Sequence, residues 1–156
     1  MDQRNQNKTL ILGLGNILMG NEGIGVKAVE YMKGKSLPEN TVLMDGGTGG
    51  FHLLHLFDEY HQFIMIDATI NDGNPGEINV IKPKFASDFP RTLTSHDIGL
   101  RDLMQSAELL GQLPDISLIT INIRALDSVR IGLNEEFNKV LPEVYNKVLD
   151  ILNTTS

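Results

Sequence analysis

LILGLGNILMGNEGIGV, residues 10–26, divides into a strand, a loop and the start of a helix. Leu10, Ile11 and Leu12 form a continuous apolar run, the pattern of a strand buried on both faces of a parallel sheet. Glycines at 13, 15, 20, 23 and 25 follow, and they let the backbone turn tightly and other groups approach it. One acidic side chain, Glu22, stands in this loop. Ligands of open α/β sheets bind beyond the carboxyl ends of the strands, so the loop lies where function is expected.

The rest of the chain repeats this pattern. TVLM (Thr41–Met44) is a short buried strand that runs into Asp45 and the glycine-rich loop GGTGG at 46–50. FIMI (Phe63–Ile66) is a third, running into Asp67, and ISLITI (Ile116–Ile121) is a fifth. Helices are predicted at 25–33, 51–59, 98–110 and 134–152, the last with a kink at Pro142. Only nine residues separate Asp67 from the strand Glu77–Ile81. A parallel crossover needs about a dozen or more, so this strand is predicted to be antiparallel and at a sheet edge. The alternation predicts an α/β three-layer sandwich: a mostly parallel five-stranded sheet with helices on both faces. One domain over residues 9–153, after a flexible tail at 1–8, is the expected organisation.

Composition narrows the function classes. Thirteen Lys and Arg against twenty Asp and Glu give a formal charge of −7, which disfavours nucleic acid and anionic membrane as partners. There is no cysteine, so no disulfide, thiolate metal site or cysteine nucleophile is available. Any metal must be held by oxygen or nitrogen. The amino-terminal MDQRNQNK is polar, without an apolar segment suited to a signal peptide, and no run reaches membrane-spanning length. A cytoplasmic monomer is the expectation.

Glu22, Asp67 and His96 are the candidates for chemistry. Each is predicted on a loop after a strand or just before a helix, so all three are placed to converge at one sheet edge. Two carboxylates and an imidazole suit nickel, zinc, manganese or iron and leave positions open for water or substrate. The structural alternatives are a turn-capping Asp67, a solvated Glu22 and a helix-capping His96. Three other constellations are weaker. His52 and His55 lie three apart on a predicted helix, a spacing equally natural for an exposed face, and His61 reads as a solvated turn residue. Ser95, His96 and Asp97 are consecutive and cannot all turn inward to form a hydrolytic triad. Gly13-x-Gly15 with Asp45 is an incomplete dinucleotide fingerprint: Leu18 replaces the third glycine, and Glu22 would face the pyrophosphate.

GLGNILMGNEGIGV at 13–26, DGGTGG at 45–50, Asp67 of IMIDATI with NPGEI at 74–78, and SHDIGL at 95–100 together resemble the successive motifs of the hydrogenase maturation endopeptidases. The resemblance runs from about residue 9 to 150 in the same order. It implies a phosphorylase/hydrolase-like fold and a single cut that removes a carboxyl-terminal extension from the large-subunit precursor of a nickel-iron hydrogenase after nickel insertion. It places the family's metal-contacting and catalytic residues on Glu22, Asp67 and His96, and substrate contacts on Asn16, Asp45, Gly46, Gly47 and Thr48. The implied metal is nickel presented by the precursor, with zinc or cadmium as substitutes in vitro, and the implied class is a carboxylate-dependent, aspartyl-type protease. Asn21 departs from the pattern, since many members carry aspartate there. The alternative reading is a nickel-binding accessory protein that holds the precursor without cutting it.

Overall fold

The central strands lie side by side because each is buried on both of its faces, whereas the strand at Thr41–Gly47, expected to be buried, is only half-buried at the sheet edge. The computed structural model describes residues 7–18, 20–47, 51–90, 100–111, 113–123 and 135–154. Strand β1 (Thr9–Leu14) is buried at every residue. It pairs in parallel with β2 (Thr41–Gly47) on one side and with β3 (Gln62–Thr69) on the other. Strand β5 (Asp115–Asn122) continues the parallel array beyond β3, and β4 (Ile78–Ile81) closes it by pairing antiparallel to β5. The order among the described residues is β2-β1-β3-β5-β4, so the short strand is at the edge and antiparallel, as its short approach, eight residues from Thr69 to Ile78, requires.

Period-two alternation sorts the buried side chains into two layers. Ile11, Ile64, Ile66, Ile119 and Ile121 face α1 (Ile24–Met32), α3 (Glu135–Asn138) and α4 (Leu141–Thr154) through Val29, Met32, Phe137, Val144 and Val148. Leu10, Leu12, Phe63, Met65 and Leu118 face the opposite way. They meet a 3-10 helix at Phe51–Asp58 and the helix α2 (Leu100–Leu110) through Leu53, Leu56, Leu103 and Met104. Helices cover both faces, and the expected three-layer α/β sandwich is the observed architecture.

Three local expectations are corrected. The segment after the GGTGG loop is a 3-10 helix, not an α-helix. Its apolar pairs Leu53/Leu56 and Leu54/Phe57 recur every three residues, and three residues per turn puts each pair on one face. The last helix is two helices, α3 and α4, with a turn at Lys139 and Val140 between them. Pro142 lies in the first turn of α4, where no intrahelical donor is lost, so it starts a helix where a kink was expected. Finally, Asp67 lies inside β3, not on a loop after it. The β1–β3 ladder ends at Gly13–Ile66, while β5 keeps pairing with β3 through Thr69–Asn122.

The same Asn122 ties down the connection from β3 to β4. Its Oδ1 accepts from the Asn71 N–H at 3.0 Å, and its Nδ2 donates to the carbonyls of Gly73 at 2.7 Å and Asn74 at 3.1 Å. Asn122 is buried, so removing the amide leaves these backbone groups without their partner. Asn122→Ala is expected to cost about 2 kcal/mol in denaturant unfolding. It should also speed amide exchange in the connection, while the helices keep their protection.

Candidate active site

The carboxyl edge of the sheet is built from backbone first. Gly15, at φ +138°, has no room for a side chain, because a Cβ there would strike the carbonyl of Glu22. Gly25 is pressed in the same way against the carbonyls of Leu14 and Ile66. These two close approaches seat the 3-10 turn Gly20–Gly23 and the start of α1 on the ends of β1 and β3, and the turn packs against β3. Glu22 therefore stands within about one helical turn of the point where α1 touches the residue before Asp67.

Both carboxyl groups are inside the protein. Glu22 is 3% exposed and Asp67 is 0% exposed, and Glu22 Oε2 and Asp67 Oδ2 are shut off from solvent. The expectation of a solvated loop glutamate does not hold. Asp67 Oδ1 accepts from the Ala68 N–H at 2.8 Å, which fixes the orientation of that carboxylate. Alternation along β3 turns Asp67 to the same face as Phe63 and Met65, the face that α2 covers. His96 lies outside the described residues, four positions before α2 begins. Among the described residues no three His, Cys, Asp or Glu gather into a metal-sized cluster. Glu22 and Asp67 supply two oxygen donors at this edge. Oxygen donors of this kind are ones that divalent cations accept.

Around these two groups the β1 and β2 ends are laced together. The Gly15 N–H donates to the Gly47 carbonyl at 2.6 Å, and the Gly47 N–H donates to Asp45 Oδ1 at 2.7 Å. Asn16 Oδ1 accepts from the Leu18 N–H at 3.0 Å. Asn16, Asp45, Gly46 and Gly47 thus share the edge with Glu22, and Thr48 lies outside the described residues. Asn21 is 3% exposed, as buried as its neighbour Glu22. His55 and His61 do not join the edge. His55 is exposed on the 3-10 helix; His61 precedes β3 at the opposite end of the sheet, with Nδ1 3.2 Å from the Lys8 carbonyl.

Comparison with known proteins gives this edge its context. The hydrogenase maturation protease model HycI matches residues 26–151. A hydrogenase expression/formation protein HupD of Rhizobium leguminosarum bv. viciae is 34% identical over 154 residues, covering 94% of this chain and 75% of that protein. The chain belongs to the hydrogenase maturation protease family. A second HupD, from Bradyrhizobium diazoefficiens, is 33% identical over 126 residues, which cover 78% of this chain and 64% of that relative. Among solved structures, the hydrogenase maturating endopeptidase HybD from E. coli superposes with a TM-score of 0.83 at 27% identity, covering 96% of this chain and 94% of that one. The family expected from the motifs is therefore the family found. Sequence reading picked out Asp67 but placed it wrongly along its strand, and it passed over Thr120 and Asn79, which β-sheet register sets in one row with Asp67. Only the strand pairing carries that information.

Proposed function

We propose that this chain cuts the carboxyl-terminal extension from the large-subunit precursor of a nickel-iron hydrogenase, with Glu22, Asp67 and His96 as the residues that meet the nickel-bearing end of that precursor. The observation that supports the reading is the burial of two carboxyl groups at one sheet edge in a chain of this family. Oxygen and imidazole donors hold nickel less tightly than thiolates do, so the metal stays with the substrate that brings it, and zinc or cadmium would fill the same donors in vitro. The protein's own groups then carry the hydrolysis, as in an aspartyl-type protease. One carboxylate takes a proton from water as the water oxygen bonds to the scissile carbonyl carbon; the proton passes to the amide nitrogen as the C–N bond breaks. Asp67, oriented by Ala68, is the fixed member of the pair. Asn16, Asp45, Gly46, Gly47 and Thr48 line the approach of the substrate backbone. In this reading the reaction takes place in the cytoplasm, and the protein acts as a monomer. Among the described residues no helix is long and apolar enough to cross a membrane.

Intact-mass analysis of the precursor, incubated with the protein with and without inserted nickel, tests the proposal. Loss of one carboxyl-terminal peptide from the nickel-loaded sample alone is the expected result. A precursor that binds and keeps its mass in both samples would instead favour the accessory protein that does not cut. Cutting without nickel would remove the metal from the mechanism and keep the protease.

A further inference from the structure

Register places Asp67 of β3, Thr120 of β5 and Asn79 of β4 in one row across three neighbouring strands. Side chains in such a row point to the same side of the sheet. A groove of about 460 Å³ opens on this row, with Thr69, Thr120 and Asn79 as polar members and Ile70, Val80 and Pro90 among the apolar ones. Among the described residues none that lines it is charged, in a chain with formal charge −7. Ile70 and Val80 are each 43% exposed, and together they give the groove an apolar rim open to a partner.

We infer that this groove holds the uncharged, extended start of the extension that is removed, so that β4 and Asn79 help to select the substrate; this rests on the proposed endopeptidase reading. Three observations identify the occupant. The groove lies on the same row of the sheet as Asp67, beginning one strand away at Thr120, so a chain cut at Asp67 would run on into it. The described part of the lining is neutral and offers hydroxyl and amide partners to a peptide backbone. The folded body of the precursor, which carries the metal centre, is too large for a groove of this size, and that leaves the extension. Strands lie about 4.8 Å apart, so Asn79 is roughly 10 Å from Asp67, and extended chain covers that distance in about three residues. The third or so residue after the cut is the one expected beside Asn79.

A photoreactive phenylalanine analogue placed at Asn79 or at Ile70, with Leu109 on α2 as the exposed control, reads the occupant directly. With nickel-loaded precursor, the two groove positions are expected to cross-link to the first few residues of the extension, and position 109 is not. In a parallel assay Asn79→Lys is expected to raise KM about tenfold with kcat within about twofold, because the lost contact lies away from the reacting bond. Cross-links to the folded body of the precursor, cross-links between two copies of this chain, or none from the groove while the precursor is bound would each overturn the inference. If the precursor is bound and never cut, the endopeptidase reading fails while the cross-link still decides what fills the groove.

Discussion

Asp67→Asn is expected to leave the fold intact and to slow precursor processing by about 100-fold or more, the range for loss of a group that moves the proton. The substitution is nearly isosteric, and the amide oxygen still accepts the Ala68 N–H that orients the side chain. What disappears is the negative charge and the second acceptor oxygen at a position with no exposure to solvent. Glu22→Gln is expected to behave alike, since Glu22 is 3% exposed and its main chain is held against Gly15, independently of the charge. Intact-mass time courses on nickel-loaded precursor, with circular dichroism of each variant, are the measurements. A folded Asp67→Asn that processes at the wild-type rate would take Asp67 out of the site.

The second large effect is on stability. Gly25→Ala is expected to cost about 4 kcal/mol or more, or to prevent folding altogether, because the added methyl group would overlap the backbone carbonyls of Ile66 and Leu14. Backbone atoms in a central strand pair cannot rotate away as a side chain can. In a domain of this length each 1 kcal/mol lowers the melting temperature by roughly 2–4 °C, so a fall on the order of 10 °C is expected. Gly34→Ala is the matched control: a Cβ added there would have nothing within 4 Å, and the substitution is expected to be neutral or slightly stabilising. Equal melting temperatures for the two variants would mean that α1 is not pressed onto the ends of β1 and β3.

Much of this architecture was legible in the amino-acid order. Continuous apolar runs, glycine where a loop meets a helix, and the short approach to the strand expected at Glu77–Ile81 are local features, and they led to the right strands and to the antiparallel edge. The layer assignment of Leu10 and Ile11 follows from alternation alone. What escaped depends on pairs of distant segments. Asp67 follows FIMI and so reads as the residue after a strand; only the longer partner β5 extends the ladder past it. The 3-10 form of Phe51–Asp58 is chosen by packing over a shared face, which a helical spacing cannot distinguish from an α-helix. Pro142 was visible, but whether it breaks a helix or begins one depended on where the preceding turn fell. The candidate site was legible as residue types at strand ends; the burial of Glu22 was not, because no local pattern marks a loop carboxylate as enclosed.

The close approach of Gly15 to Glu22 also bears on how this protein can change over time. The two ends of that segment are braced against each other by main chain, so the position of Glu22 does not depend on the loop's exposed side chains. Its exposed side chains, Ile17 at 37% and Leu18 at 51%, are therefore open to replacement, whereas the main chain of Ile17 is packed on Gly23 and has to stay. Exchange of those two side chains would let partner preference diverge between duplicated copies of the gene while the acid behind them keeps its place.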